Sequence, residues 1–273
     1  MEAQFYIAAT PIGNLGDISI RTLEILKKVD YIACEDTRKT KILLDKYLIN
    51  TKLIDCHKFN EKERSGKIIS IIKEGKTVAF VSDAGTPLIS DPGSVLIKEL
   101  KKENIKITAL PGACAVITFL SLISRDSEEF AFIGFIPRNK QQQFDILDKY
   151  KYTNCVFYDS PNRFMNTLQN ISDLYGSNKK IAVARELTKV FEEVKEGSVE
   201  EIINYYEKNP LKGEIVAMVF AQKENQDIDE VMIIDKIKIL HKENFSPKDI
   251  SRIISKLYGV NKNKIYKMSL ETE

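Results

Sequence analysis

The side chains best suited to chemistry fall in short, punctuated stretches of the sequence. Residues 82–93, SDAGTPLISDPG, hold two Pro, two Gly and two Asp after an apolar run. That composition marks a shaped binding loop rather than a plain turn. Glycine lets backbone approach a ligand closely, and proline fixes the path. Residues 35–38, EDTR, set two carboxylates beside a guanidinium. Residues 10–17, 110–115, 159–163 and 185–189 add further Gly, Pro, Asp, Glu, Arg and Lys. Each stretch also has a bland reading. The first lacks G-x-G-x-x-G, so Gly13 and Gly16 make a weak dinucleotide fingerprint. Asp17 would serve equally as a helix N-cap. Glu35, Asp36 and Arg38 would be spent on a cap and a surface ion pair. Arg163 and Arg185 would pair with local carboxylates, and Cys114 would pack as a small apolar residue.

The elements that position these stretches follow from hydrophobic patterning. Strand candidates are 4–9, 31–34, 52–55, 77–82, 106–109, 130–135, 154–158, 180–184 and 214–221. Helix candidates fill the gaps at 18–28, 38–48, 61–74, 93–102, 113–124, 141–149, 163–175 and 199–208. In the helix over 163–175, Phe164, Leu168, Ile171 and Leu174 recur near helical period. Strand–helix alternation predicts an α/β architecture with largely parallel sheets. Ligands of open α/β sheets bind beyond the carboxyl ends of the strands. The punctuated stretches stand at those ends.

Composition bounds the rest. Of 273 residues, 43% are hydrophobic and 29% charged. That is ordinary for a globular chain of about two domains and argues against disorder. A net charge of +2 excludes a global polyanion binder. The first residues carry no basic run before their apolar ones, so no signal peptide is expected. No stretch reaches the length of a membrane span, so no membrane partner is expected. Four Cys without a C-x-x-C pair, and two His, argue against zinc or a disulfide framework and for a cytoplasmic protein. Domains are expected at 1–112 and 113–221, with a polar linker over 222–229 and a helical tail over 230–273. Gly259 separates two short helix candidates, 247–258 and 262–268. Between Lys236 and Met268 stand nine Lys or Arg against two Asp or Glu. That tail reads either as a solvated surface or as a helix-turn-helix-like module lying on phosphate backbone.

Together these stretches resemble the tetrapyrrole methylase superfamily, the class III S-adenosylmethionine-dependent methyltransferases. Within it they are most similar to the branch that methylates the ribose 2′-hydroxyl of a cytidine in small-subunit ribosomal RNA. The resemblance rests on ATPIGNLGD at 9–17, CEDTR at 34–38, VSDAGTPLISDPG at 81–93 and LPG at 110–112. GFIPR at 134–138, YDSPNR at 158–163, ARELTK at 184–189 and KGE at 212–214 extend it. So many ordered motifs are far more specific than a lone Gly-rich loop.

The resemblance implies two α/β domains, a mainly parallel sheet and then a mixed one, with S-adenosylmethionine in the cleft between them. It also implies a homodimer. It carries cofactor contacts onto Pro11, Val81, Ser82, Asp83 and Thr86. Cys114 and Ala115 match the position that holds the adenosyl group. Tyr158, Asp159 and Glu186 match positions that close over the cofactor. A carboxylate base falls on Glu35 or Asp36. Arg38, Arg163, Arg185 and Lys189 suit an anionic phosphodiester through charge-assisted hydrogen bonds. No metal is needed. The substrate would be small-subunit ribosomal RNA or the assembled subunit, read in a splayed form so that the ribose can enter a cleft. Phe5, Tyr158 or Phe191 would stack on a base unless they belong to the core. Two rivals stand beside this reading. One is a methylase of a small tetrapyrrole, and the other a non-enzymatic nucleotide-binding protein on the same fold.

Overall fold

The computed structural model describes residues 3–222, 230–258 and 260–272. The expected linker, apart from Gln222, and Gly259 lie outside the described residues. The chain forms two compact units, one ending at Ala221 and one beginning at Gln222.

The first unit opens with five strands: β1 (Phe5–Ala8), β2 (Tyr31–Cys34), β3 (Lys52–Asp55), β4 (Val78–Val81) and β5 (Ile107–Leu110). They form one parallel sheet in the order β3-β2-β4-β1-β5. Parallel pairing demands crossovers, which are supplied by α1 (Ile20–Lys28), α2 (Thr37–Lys46), α3 (Glu61–Lys73) and α4 (Ser94–Lys102). The central strand β4, VAFV, is buried throughout. A strand covered on both faces reads as a continuous apolar run. Ala79 and Val81 pack with Leu26 of α1 and Leu44 of α2. Val78 and Phe80 face the other way, onto Ile68 and Ile72 of α3 and Leu96 and Leu100 of α4. Each such fully buried side chain contributes about 1.5–3 kcal/mol.

The second sheet comprises β6 (Phe130–Phe135), β7 (Asn154–Asp159), β8 (Lys180–Arg185), β9 (Glu193–Ser198) and β10 (Ile215–Val219). Its order is β6-β7-β10-β8-β9. Only β6 and β7 are parallel, and the other pairs are antiparallel. The sheet is therefore mixed, as the resemblance implied. One face packs under α6 (Lys140–Lys149), α7 (Pro161–Tyr175) and α8 (Val199–Lys208), through Leu147, Phe164, Leu168, Ile171, Ile202 and Tyr206. The other face is covered by α5 (Ala115–Ser121), through Val116, Phe119 and Leu120. Thus α5 follows a strand of the first sheet but packs on the second.

Local chemistry sets the helix ends. Ser198 and Glu201 form a capping box that starts α8. Pro161 opens α7 two residues earlier than periodicity predicts, because its missing N–H costs nothing there. Asp17 is not an N-cap. Ser19 caps α1 by accepting from the Thr22 N–H, and Asp17 closes a 3-10 turn, Leu15–Asp17, capped by Asn14. Strand β9 was missing from the sequence reading. Its residues, EVKEGS, carry one large apolar side chain, and it lies at the sheet edge, paired with β8 alone. Polar edge strands resist aggregation but leave no apolar alternation to read.

The second unit holds α9 (Glu230–Lys242), α10 (Pro247–Tyr258) and α11 (Lys262–Glu271). Ile233, Ile237, Ile250, Ile254 and Ile265 form its core. His241 Nε2 lies 3.0 Å from the Ser269 carbonyl oxygen, tying α9 to α11. All nine Lys and Arg of the basic window are exposed.

Candidate active site

The loops leaving β1, β4 and β5 are latched to one another. Thr10 and Gly85 exchange both backbone hydrogen bonds, at 2.9 and 3.0 Å. The Thr10 hydroxyl donates to the Ser82 carbonyl, and Thr86 Oγ1 donates to the Ala113 carbonyl at 2.9 Å. On the second sheet, Ile215 at the start of β10 is in register with Asp159 and Arg185 at the ends of β7 and β8. Antiparallel pairing thus gathers three loops at one edge. The two edges meet where Thr188 Oγ1 accepts from the Asn14 N–H at 3.0 Å.

Between them lies a cavity of about 460 Å³. Its first-sheet wall carries Glu35, Asp83 and Asp91. Its floor is small, with Ala84, Gly85, Cys114 and Ala115, and Thr86 beside them. Its second-sheet wall carries Tyr158, Asp159, Leu187 and Glu214, with Phe135 at the rim. Four non-glycine residues with left-handed backbone stand in the bordering loops: Leu88, Ser90, Glu186 and Thr188, at φ of 70°, 68°, 52° and 64°. Such conformations cost energy and cluster where a binding geometry is imposed.

The carboxylates of the first wall repel one another. Burial, then the neighbouring Asp83, raises the pKa of Glu35. Burial pushes Asp91 up to about 6, with help from Glu35 and Asp83. Neither Glu35 nor Asp91 makes an ion pair among the described residues. Asp83 accepts from the Asp36 N–H at 3.1 Å and from Lys39 Nζ at 2.8 Å.

The structure separates the residues singled out from sequence. It brings Asp83, Thr86, Cys114, Ala115, Tyr158 and Asp159 to one cavity, together with Glu35. Pro11 lies outside it, in a smaller cavity with Lys39 and Leu43. Val81 is core, and Ser82 is buried with its hydroxyl turned to the Ala84 and Gly85 carbonyls. Glu186 clasps the rim from behind. It accepts from Lys189 Nζ at 2.9 Å and from the Glu214 N–H at 3.1 Å. Burial opposes its ionisation, but these donors hold its carboxyl below the usual range. Any Cβ at Gly213, where φ is +82°, would collide with that carboxylate.

Asp36 is the N-cap of α2 and is held by Arg38, whose guanidinium bonds depress its pKa. Its bland reading therefore accounts for it, while Glu35 beside it faces the cavity. The four candidate phosphate cations all have carboxylate partners. Arg38 pairs with Asp36 at 2.8 Å and Arg185 with Glu193 at 3.0 Å. Lys189 pairs with Glu186 and Glu214. Arg163 pairs with Asp159, whose other oxygen accepts from Thr167 at 2.6 Å. Phe5 is fully buried, so it cannot stack on a base. Tyr158 belongs to the cavity wall, and Phe191 is exposed. The sequence reading missed Asp91, Phe135 and Glu214, although each stood inside a quoted motif. Nothing in those motifs said which members would face the cavity.

A two-sheet α/β unit with a deep, acidic cavity between its strand-end loops defines a small-molecule or cofactor-dependent enzyme. A sequence profile of the tetrapyrrole (corrin/porphyrin) methylases matches residues 4–203, and the chain belongs to that family. It is 40% identical over 273 residues to the Vibrio cholerae serotype O1 protein called ribosomal RNA small subunit methyltransferase I, covering 97% of this chain and 94% of that one. It is 36% identical to the Escherichia coli O157:H7 protein of the same description, over 100% and 96% of the two chains. Diphthine synthase superposes with a TM-score of 0.65 at 13% identity, covering 81% of this chain and 90% of that one, which speaks for the fold alone.

Proposed function

We propose that this protein is an S-adenosylmethionine-dependent methyltransferase that methylates the ribose 2′-hydroxyl of a cytidine in small-subunit ribosomal RNA. The observation that carries the reading is the acidic cavity, set in a chain about 40% identical along nearly its whole length to a ribosomal RNA small subunit methyltransferase.

The cavity fits the cofactor. Its volume suits a small molecule. Its floor of Ala, Gly and Cys leaves room for a flat ring, and Ile12, Leu187 and Val216 give apolar contact. Its carboxylates favour a cation. When bound, S-adenosylmethionine supplies an electrophilic methyl on a positively charged sulfur. Asp83, Thr86, Cys114, Ala115 and Tyr158 would hold it. Holding nucleophile and electrophile in line supplies much of the rate in such transfers.

Glu35 is the proton acceptor in this reading. It faces the cavity, burial and Asp83 raise its pKa against the pull of Lys39 and His57, and it makes no ion pair among the described residues. A basic carboxylate beside the hydroxyl helps a weak acid to react. Arg163, Arg185 and Lys189 hold the second-sheet loops in place through their ion pairs. Arg38 is exposed and can turn to a phosphate. The exposed cations of the second unit supply backbone contacts to RNA. A cytoplasmic homodimer completes the reading. Ile117 and Leu122 on and beside α5 leave apolar surface that a second copy would cover. No helix among the described residues is long and apolar enough to cross a membrane.

The test is incubation with tritiated S-adenosylmethionine and small ribosomal subunits from cells lacking this enzyme. Label recovered as 2′-O-methylcytidine is the expected result. Cofactor binding with no label in RNA would overturn the reading in favour of a small-molecule methylase.

A further inference from the structure

The motif GFIPR, at residues 134–138, has no role in the chemistry above. Its backbone is unusual. The β6–β7 ladder runs in register to Phe132, slips, and resumes at Phe135 opposite Tyr158. Gly134 lies within the slip at φ +71°, a conformation that L side chains rarely adopt. Bulges of this kind re-aim a side chain. Here the re-aimed side chain is Phe135, which lines the cavity and yet is 60% exposed. Its ring lies 5.4 Å from the Tyr158 ring.

The segment after it is fixed on three sides. The Ile136 N–H donates to the Tyr158 carbonyl at 3.0 Å. Arg163 Nη2 donates to the Ile136 carbonyl at 2.8 Å, and Gln143 Nε2 to the Pro137 carbonyl at 2.7 Å. Arg138 then emerges exposed, with no carboxylate partner among the described residues. This contrasts with Arg38, Arg163, Arg185 and Lys189, each of which is neutralised. An exposed aromatic face on a rigid strand end, three residues from an uncommitted guanidinium, is the chemistry that receives one unstacked nucleotide. The ring takes the base and the cation takes the phosphodiester.

We propose that Phe135 and Arg138 form the nucleotide-receiving edge of the cavity. Phe135 stacks on the base of the reacting nucleotide, and Arg138 holds a phosphate flanking it. The inference rests on the RNA reading of the same cavity. It explains how a wall of carboxylates accepts a polyanion: the phosphate stays at the rim and only the ribose enters.

The experiment compares wild type with Phe135→Ala, Phe135→Leu, Phe135→Trp and Arg138→Ala. Tritiated S-adenosylmethionine and unmodified small subunits are the substrates, and calorimetry follows cofactor binding. Phe135→Ala raises KM for subunits on the order of tenfold, as loss of one stacked base should. Phe135→Leu does not rescue it and Phe135→Trp does, with cofactor affinity unchanged. Arg138→Ala lowers the slope of log KM against log salt by about 0.7, one phosphate's share. A Leu variant as good as wild type overturns the stacking role. An unchanged salt slope overturns the phosphate contact. A loss of cofactor affinity at constant KM for subunits gives the ring to the cofactor, and altered sedimentation at constant KM gives it to a protein contact. Both overturn the proposal. If wild type labels RNA and the variants match it, this inference alone fails. If wild type binds cofactor and labels no RNA, the functional reading fails with it.

Discussion

The two walls of the cavity use the same side chains for opposite ends. On the second-sheet wall every acid is matched. Asp159 meets Arg163, Glu186 and Glu214 share Lys189, and just behind them Glu193 meets Arg185. These pairs tie loop to loop and fix the rim. On the first-sheet wall Asp83 has Lys39, but Glu35 and Asp91 face the cavity with no ion pair among the described residues. Burial raises the pKa of both, as it does that of Asp159 on the other wall despite Arg163, so the ion pairs rather than the shifts separate the walls. A carboxylate that has its cation is structure, and one that lacks it is left over for chemistry. Composition cannot separate the two, because both walls are built from Asp, Glu, Arg and Lys.

The comparison breaks most visibly at Arg163. Asp159 has a side chain with 0% exposure, so removing its partner leaves a buried charge uncompensated. Arg163→Ala should cost about 3 kcal/mol in urea unfolding, the scale expected for a broken buried pair. Glu35→Gln removes a carboxylate that makes no ion pair among the described residues and should move stability by less than about 0.5 kcal/mol. Equal losses in the two variants would erase the distinction between the walls.

Catalysis should respond in the reverse order. Glu35→Gln should lower kcat for methyl transfer about 100-fold, the scale of a lost general base, with cofactor affinity retained. Asp36→Ala, one residue on, removes a cap and an exposed ion pair. It should lower the melting temperature and leave kcat within a few-fold. A variant pair with the opposite ranking would return the base to Asp36.

Much of this was legible in the sequence, and the illegible part has a physical cause. Buried strands such as VAFV and IVAMV announce themselves by unbroken apolar runs, and their strand-end loops by Gly and Pro. The bounds of β2, β3, β6 and α8 agree with hydrophobic patterning to the residue. The edge strand β9 escaped because it carries one large apolar side chain and so shows no apolar alternation. At the site, motif position brought Asp83, Thr86, Cys114, Ala115, Tyr158 and Asp159 to the cavity. Pro11, Val81, Ser82 and Glu186 fall outside the cavity lining, because adjacent residues of a strand end or turn point to different sides. The bland reading held for Arg38, Arg163 and Arg185, but no spacing named Glu193 and Glu214, which reach Arg185 and Lys189 through sheet pairing and loop packing.

Asp91 offers the finest test of the same contrast, through the pH dependence of folding. Its pKa rises from an unfolded value of 3.8 to about 6 in the folded protein. The folded state therefore binds the proton more tightly. Below about pH 3 both states are protonated and Asp91 is neutral in its effect. As pH rises towards 6 the unfolded chain ionises first, and stability falls. Above 6 the loss is complete and constant. Asp91→Asn removes this penalty, so it should raise Tm at pH 7.5 by a few degrees and leave it nearly unchanged below about pH 3. In an Asp91→Asn, Glu35→Gln double variant the gains should not add, since each carboxylate raises the cost of the other. A fully additive gain would mean that the two charges do not share a field. A drop in Tm at pH 7.5 would mean that Asp91 has a cation in solution, as the acids of the opposite wall do.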